Sequence, residues 1–200
     1  MIIGLTGKNA AGKGEIAKYL QKKGFVYYSL SDMIRDEATK RGLEHSRDNM
    51  INLGNDLRQK FGPGCLAQKT NEKIENTKKK SFGEFFFVID SIRSPHEVKE
   101  LKKNKDFILV GIEAPIELRL ERMLRRNRIG DAKTLEELKQ HEQRENLKSD
   151  ANQQVDVALK LANAVVINAG TLEDLHERID YLLVKLRKKQ DKSNIQNKNF

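Results

Sequence analysis

The segment Gly7–Gly14 constrains the fold of this chain more than any other part of its sequence. It reads GKNAAGKG, follows the apolar run Met1–Thr6 and precedes a stretch with helical periodicity. Glycines at its first and sixth positions let the backbone turn tightly with N–H groups pointing inward, and the lysine can reach an anion held there. This pattern between a strand and a helix predicts a phosphate-binding loop, or P-loop, that holds a nucleoside triphosphate.

The P-loop departs from the common pattern at its last position. Gly14 replaces the Ser or Thr whose hydroxyl normally ligates Mg²⁺, so we expect the metal of ATP·Mg²⁺ to be held by nucleotide oxygens, water and Asp90. Glu15 either repels a phosphate or points away at the first helical turn, where a negative charge is favourable. The residues expected to contact the nucleotide are Gly7, Asn9, Ala10, Ala11, Gly12, Lys13, Gly14 and Glu15.

Composition and charge limit the other classes of function. The chain has 200 residues, one cysteine and a formal charge of +9, and residues 185–200 carry six Lys or Arg against one Asp. Charge concentrated in a tail is weak support for nucleic-acid binding, which we do not expect. No apolar run reaches the length of a membrane span and no signal-peptide pattern is present, so we expect a cytoplasmic protein that does not bind membranes. The single Cys65 excludes an internal disulfide and a cysteine-rich zinc site.

The alternation of apolar and amphipathic segments predicts an α/β fold. Strands joined by helices form a parallel sheet with right-handed crossovers, which gives a three-layer α/β/α fold of the P-loop NTPase type with five strands. The third strand is the most apolar and is expected to be buried on both faces. The predicted strands are Met1–Thr6, Phe25–Ser29, Phe85–Asp90, Phe107–Ile112 and Ala164–Ile167.

The chain is expected to form one domain, residues 1–186, followed by a basic, disordered tail at residues 187–200. Helices are predicted through most of residues 31–80. Two further helices begin at predicted capping boxes, Ser94–Glu97 and Thr134–Glu137, in which the first hydroxyl and the last carboxylate exchange hydrogen bonds with backbone amides.

Several segments resemble known kinases. Ser29–Arg35 (SLSDMIR) resembles the S-T-G-D-M-L-R segment of the adenylate-kinase type of nucleoside monophosphate kinase, which also has glycine in place of the P-loop Ser or Thr. Asp90–Arg93 (DSIR) resembles that family's D-G-x-x-R, one residue shorter. Arg41–Asn49 and Leu57–Gly64 are similar to segments of small adenylate-kinase-like or dephospho-CoA-kinase-like P-loop kinases. Similar modules accompany deoxycytidylate deaminases, which implies a functional link to such an enzyme. The resemblance covers nearly all of residues 1–186.

The resemblance implies a role for individual residues. A helical region of about residues 31–80 would bind the phosphate acceptor, and an arginine-rich lid of about residues 126–134 would close over the phosphates. Asp90 would hold Mg²⁺ through water. Asn168 and Gly170 would pack on the donor base, although a helix-entry turn explains them equally well. The implied acceptor-binding residues are Ser29, Asp32, Arg35, Arg58 and Arg93, and the implied catalytic residues are Lys13, Asp90, Arg122, Arg128 and Arg144.

Three functions remain open on these residues. The first is an ATP-dependent nucleoside or deoxynucleoside monophosphate kinase. The second is a kinase of dephospho-CoA or another small molecule, for which Asp32 could act as the general base that an alcohol acceptor requires. The third is a nucleotide-binding regulatory module without turnover, which Gly14, Glu15 and the association with deaminases leave room for. For any single arginine of the region 119–128, a solvated surface ion pair is an equally good interpretation.

Overall fold

The fold is built on a five-stranded parallel sheet. The computed structural model describes residues 1–80, 83, 85–146 and 153–196. The strands lie in the order β2-β3-β1-β4-β5, and every neighbouring pair is parallel, which confirms the predicted fold class. The strands are β1 (Ile2–Thr6), β2 (Val26–Ser29), β3 (Phe87–Ile92), β4 (Phe107–Glu113) and β5 (Ala164–Ile167).

Helices connect the strands and cover both faces of the sheet. At α5, Ser94 and Glu97 form the predicted capping box. At α7, the Thr134 hydroxyl accepts from the Glu137 N–H, but the Glu137 carboxylate binds the N–H of Lys133 (2.7 Å), one residue before the predicted partner. The helices are α1 (Lys13–Lys22), α2 (Leu30–Lys40), α3 (Arg47–Phe61), α4 (Cys65–Lys80), α5 (Pro95–Leu101), α6 (Ile116–Arg126), α7 (Leu135–Glu145), α8 (Val155–Lys160) and α9 (Leu172–Gln196).

Two hydrophobic clusters pack against opposite faces of the sheet. One joins β3 to α2–α5 and α8, with Ile89 and Leu66 among its members. The other joins the sheet to α1 and α9, with Val88, Ile16 and Ile179 among its members. Because the successive residues Val88 and Ile89 enter different clusters and are both fully buried, β3 is covered on both faces, as its unbroken apolar sequence predicted.

Strand β3 continues past Asp90, where the sequence predicted its end. It runs to Ile92, and along the way one residue of β1, Leu5, lies opposite two residues of β3, Asp90 and Ser91. This is a β-bulge, which bends the strand and redirects its side chains. Ser91 adopts a left-handed backbone conformation with φ 65° at this point. The bulge therefore lies at the carboxyl edge of the sheet, where parallel α/β folds bind ligands.

The prediction of a disordered tail is wrong for the part that the structure describes. Helix α9 continues to Gln196, so residues 187–196 are helical, and residues 197–200 lie outside the described residues. Lys, Arg and Gln are good helix formers, and a helix already nucleated by its packed residues extends at little cost. Within the described ranges, no helix is long and apolar enough to cross a membrane.

Candidate active site

The P-loop is shaped by close contacts at two glycines. Gly7 and Gly12 have φ values of 140° and 110°, which strongly favour glycine. A Cβ atom at Gly7 would collide with the carbonyl oxygen of Ile112, and one at Gly12 would collide with the side chain of Asn168. Helix α1 begins directly after the loop at Lys13, so its unpaired first-turn N–H groups and positive end face the loop. The predicted P-loop thus has the backbone that phosphate binding requires.

Lys13 lies over this loop. Its Nζ atom donates hydrogen bonds to the carbonyl oxygens of Gly7 (2.7 Å) and Lys8 (2.9 Å). Burial lowers the pKa of Lys13 from 10.5 to about 8, and the positive charge of Arg93 acts in the same direction, while Asp90 opposes them. Its charge is therefore poorly compensated by the protein, and a phosphate at the loop would stabilise it.

The two unusual positions after Lys13 do not obstruct the loop. A Cβ atom at Gly14 would meet nothing within 4 Å, so the space of the usual hydroxyl ligand is open. Glu15 is exposed, and its carboxylate pairs with Lys18 at 3.1 Å along the outer surface of α1. The structure therefore favours the interpretation in which the Glu15 side chain points away from a bound phosphate.

Asp90 supplies a carboxylate beside the loop. Its Oδ1 atom accepts a hydrogen bond from the Ser91 N–H (2.6 Å), and its charge raises the pKa of Lys13, so the two side chains lie near each other. Within the described part of the chain, no group of three or more His, Cys, Asp or Glu side chains could hold a metal. A single carboxylate near Lys13 fits Mg²⁺, which keeps several waters and binds phosphate oxygens.

A cavity of about 260 Å³ opens at the edge of the sheet beside β3. Arg35, Arg58 and Arg93, which the sequence predicted for acceptor binding, line it together with Arg128 of the predicted lid. Apolar residues of α2, α3 and α4 form another part of its wall. Glu145 is the one carboxylate among its lining residues in the described ranges, so the cavity has an excess of positive charge and suits an anion.

Arg58 is the most deeply buried of these arginines, with 3% of its surface exposed. Its Nη2 atom donates to the fully buried Glu97 (2.9 Å), whereas its Nε and Nη1 atoms have no hydrogen-bond partner. The other Glu97 oxygen accepts from the backbone N–H of Arg93 (2.7 Å) and Ser94 (3.1 Å). Glu97 therefore joins the guanidinium of Arg58 to the turn after β3. The sequence predicted the helix cap but not this ion pair.

The three residues of this region predicted to bind the acceptor are Ser29, which caps α2, Asp32 in its first turn and Arg35 near its middle. Ser29 caps α2 by accepting from the Ser31 N–H (3.2 Å). Asp32 forms an ion pair with Arg35, and both side chains are about half exposed. Arg35 lines the cavity and Asp32 is not among the residues that line it.

Arg93 is positioned by neighbours that the sequence did not reveal. Its Nη1 atom donates to the Gln153 side chain (3.0 Å) and lies 3.5 Å from the carboxylate of Glu145. Glu145 is 7% exposed, and its negative charge raises the pKa of Lys13. The end of α7 thus contributes a carboxylate to the region between the P-loop and the cavity.

The arginines of α6 divide into different roles. Arg122 donates to the carbonyl oxygen of Asn168 (3.1 Å), and Arg126 forms a bidentate pair with Asp131 (2.6 and 2.7 Å) and reaches the Asn9 side chain (3.1 Å). Both therefore lie against the P-loop, although Arg126 was not among the catalytic residues that the sequence predicted.

The ion pair of Arg119 with Glu142 was not predicted from the sequence. Arg119 is 4% exposed and pairs with Glu142, which also accepts from Lys8 of the P-loop (2.8 Å). Burial raises the pKa of Glu142, but the hydrogen bonds from Arg119 and Lys8 outweigh it and hold that pKa below its ordinary value. Helix α7 is thereby tied to both the P-loop and α6.

The remaining predicted contacts differ in position. Arg128 is exposed and lines the cavity, whereas Arg144 is 67% exposed and lies 3.9 Å from Asp48 of α3, outside the cavity lining. Asn168 is buried and donates to the carbonyl oxygen of Ala11 (2.9 Å), so it supports the P-loop. Gly170 lies in the turn that enters α9, where Thr171 and Asp174 exchange capping hydrogen bonds.

The chain has relatives among known proteins. The chain matches the AAA domain family over residues 6–139. A UPF0200 protein of Pyrococcus horikoshii is 32% identical over 189 residues, which cover 93% of this chain and 97% of the relative. A UPF0200/UPF0201 protein of Archaeoglobus fulgidus is 33% identical over 189 residues, which are 94% of this chain and 56% of that relative, so the chain spans about half of its length.

Solved structures show the same fold. TT1252 from Thermus thermophilus superposes with a TM-score of 0.60 at 22% identity, covering 93% of this chain and 97% of the other. A shikimate kinase from Acinetobacter baumannii in complex with shikimate superposes with a TM-score of 0.51 at 19% identity, covering 92% and 93%. The five-stranded sheet and the P-loop together define a P-loop protein with the fold of small P-loop kinases, the fold that the sequence predicted. The chain belongs to the AAA domain family and to the UPF0200 proteins.

Proposed function

We propose that the protein is an ATP- and Mg²⁺-dependent phosphotransferase whose acceptor is a nucleoside or deoxynucleoside monophosphate. The observation that carries this proposal is the arginine-lined cavity at the carboxyl edge of β3, next to the P-loop. A triphosphate on the loop and an anionic acceptor in the cavity would meet beside Lys13 and Asp90. Phosphoryl transfer depends mainly on positioning and on neutralising charge, which these side chains supply.

Each group has a defined part in the proposed reaction. Lys13 and the N–H groups at the start of α1 would hold the β- and γ-phosphates. Asp90 would hold Mg²⁺ through water, and this ion would neutralise the developing charge on the phosphate oxygens. Arg35 and Arg93 would orient the acceptor phosphate, since a guanidinium can bind two of its oxygens at once. Arg126 would approach the transferred group once released from Asp131.

The state of Asp32 supports a phosphate acceptor over an alcohol. An alcohol requires a general base near its hydroxyl. Asp32, the candidate base in the sequence, is paired with Arg35 and lies outside the residues that line the cavity. For a kinase of dephospho-CoA or another alcohol, Asp32→Asn should abolish transfer. For a monophosphate kinase it should preserve kcat and change mainly the KM of the acceptor.

The proposal is tested by measuring transfer from ATP with Mg²⁺ across the ribo- and deoxyribonucleoside monophosphates. Lys13→Ala should abolish transfer, whereas Lys18→Ala, an exposed lysine of the same helix, should leave it unchanged. Arg35→Ala should raise the acceptor KM, and Arg41→Ala at the end of that helix should not. Binding of ATP without turnover of any monophosphate would reject the proposal and leave two alternatives, a kinase of another small molecule and a nucleotide-binding regulatory module.

A further inference from the structure

Ser91 lies at the point where the P-loop side of the site meets the acceptor cavity. It occupies the β-bulge opposite Leu5, between the carboxylate of Asp90 and the turn that leads to Arg93. Its φ of 65° is a left-handed conformation, which is unfavourable for any residue with a side chain and favours glycine. Such conformations in non-glycine residues cluster at functional sites.

The backbone and the side chain of Ser91 make different contacts. The Ser91 N–H donates to the Oδ1 atom of Asp90 (2.6 Å), a contact that any residue except proline can make at this position. The Ser91 side chain is half-buried and lines the cavity that also contains Arg35 and Arg93. A glycine would preserve the backbone contact without strain, so the hydroxyl is the part that remains to be explained.

Two successive hydrogen bonds leave the hydrogen of the Ser91 hydroxyl available for donation to a ligand. The Ser31 N–H at the start of α2 donates to Ser29 Oγ (3.2 Å), and the Ser29 hydroxyl donates to Ser91 Oγ (3.3 Å). Ser91 Oγ is the acceptor of the second of these hydrogen bonds, and the hydrogen of its own hydroxyl has no acceptor among the residues that the structure describes. The first of these hydrogen bonds comes from the positive end of α2, whose dipole favours an anion next to the Ser91 hydroxyl.

We propose that Ser91 is a specificity-determining residue, whose hydroxyl donates a hydrogen bond to an anionic oxygen of the acceptor's phosphate. The inference rests on the proposed function, because it concerns the acceptor side of the same site. Together with Arg35 and Arg93, the hydroxyl makes the cavity selective for a phosphate monoester over an uncharged nucleoside. An acceptor that lacks the anion leaves these donors unpaired, which is how polar sites reject analogues.

The test compares Ser91→Ala with Ser91→Gly in the full chain. Both variants lack the hydroxyl, but glycine also relieves the left-handed strain, so Ser91→Gly should melt at a higher temperature than Ser91→Ala. In both, we expect the acceptor KM to rise by about tenfold or more, the effect of losing a charge-assisted hydrogen bond. The donor KM and kcat should stay near their wild-type values, since uniform binding of the acceptor is what is lost.

A purely structural role for Ser91 predicts a different result. Ser91→Gly, which is expected to melt at a higher temperature than Ser91→Ala, would then restore the wild-type acceptor KM. Recovery in Ser91→Gly, or an unchanged KM in both variants, would overturn the inference. Calorimetric binding of inorganic phosphate and of nucleoside monophosphates separates it from the proposed function. If the wild type binds a monophosphate without transferring phosphate, weaker binding in both variants supports the role of Ser91 although the proposed reaction fails. If the wild type binds none of these probes, both are rejected.

Discussion

At the scale of single residues, the site is defined by charges that the protein leaves poorly compensated. Lys13 contacts two carbonyl oxygens but lies near Arg93, and burial lowers its pKa to about 8. Arg58 is buried with two nitrogen atoms unpaired. Both side chains face regions where a phosphate is expected, so a ligand would supply the compensation that the protein omits.

The pKa of Lys13 predicts how nucleotide affinity depends on pH. Lys13 is charged below about pH 8 and loses its proton above it, whereas a bound triphosphate favours the charged form. The affinity for ATP should therefore be constant below this pH and fall by up to about tenfold per unit above it, with proton uptake on binding. Calorimetric titrations at several pH values in two buffers measure both effects. Lys13→Arg, whose charge persists, should show a flat profile, and a flat wild-type profile would contradict the prediction.

The pair of Arg58 and Glu97 predicts a large loss of stability when one partner is removed. Glu97→Ala leaves a guanidinium buried without its counter-ion and should lower the free energy of unfolding by about 3–5 kcal/mol. Arg58→Met should cost less, since the Glu97 carboxylate keeps the N–H groups of Arg93 and Ser94. Denaturant titration measures both. Lys78→Ala, which breaks the exposed pair with Glu75, should cost less than about 1 kcal/mol.

At the scale of secondary-structure elements, α7 is the helix that connects the parts of the site. Glu142 near its middle binds Lys8 of the P-loop and Arg119 of α6, and Glu145 at its end approaches Arg93. The loop between α6 and α7 is anchored by Ala132, which is buried against Met123 and Leu138. The segment predicted as a lid is therefore held at its second half and exposed at Arg128 and Ile129.

Removing the Glu142 charge should loosen α7 from the P-loop. Glu142→Gln is expected to lower the free energy of unfolding by about 1–3 kcal/mol, because it weakens two charge-assisted hydrogen bonds. Hydrogen exchange should accelerate in α7 and the preceding loop, and Glu136→Gln on the exposed side of α7 should not change it. Because the pKa of Glu142 is depressed, its contribution to stability is fully present above the ordinary pKa of a glutamate and is lost as the pH falls through its pKa in the folded protein. The difference in the free energy of unfolding between wild type and variant should therefore shrink in acid. Equal exchange rates in the two variants would show that α7 is held by other contacts.

At the scale of the whole molecule, a ligand at the P-loop and a ligand in the cavity should each stabilise the same folded domain. ATP with Mg²⁺ at about 100 times its dissociation constant adds about 2.7 kcal/mol, which raises the melting temperature of a domain of this size by about 5–10 °C. Lys13→Ala should remove the shift with ATP but preserve the shift with a nucleoside monophosphate. Arg93→Ala should do the reverse. Thermal shifts lost together in both variants would mean that the two ligands do not occupy separate positions.

Most of the fold could be predicted because its signals are local. The P-loop glycines, the apolar strands and the Ser94–Glu97 cap depend on residues a few positions apart. The site could be predicted only in part, because its ion pairs join distant positions: Arg58 and Glu97 are 39 residues apart, and Lys8 and Glu142 are 134 apart. Nothing in a charge-rich sequence tells which carboxylate meets which cation. The left-handed conformation of Ser91 could not be predicted for a different reason, since serine does not indicate a positive φ as glycine does.

The carboxylate of Glu97 limits how this scaffold can be recombined. One of its oxygens binds a side chain from α3 and the other binds the amides of Arg93 and Ser94, so the helices of residues 31–80 and the turn after β3 depend on each other. A chimera that exchanges residues 31–80 for those of another P-loop protein would leave a buried carboxylate without its cation. Successful grafts of a new acceptor specificity should therefore carry residues 93–97 along with the helices.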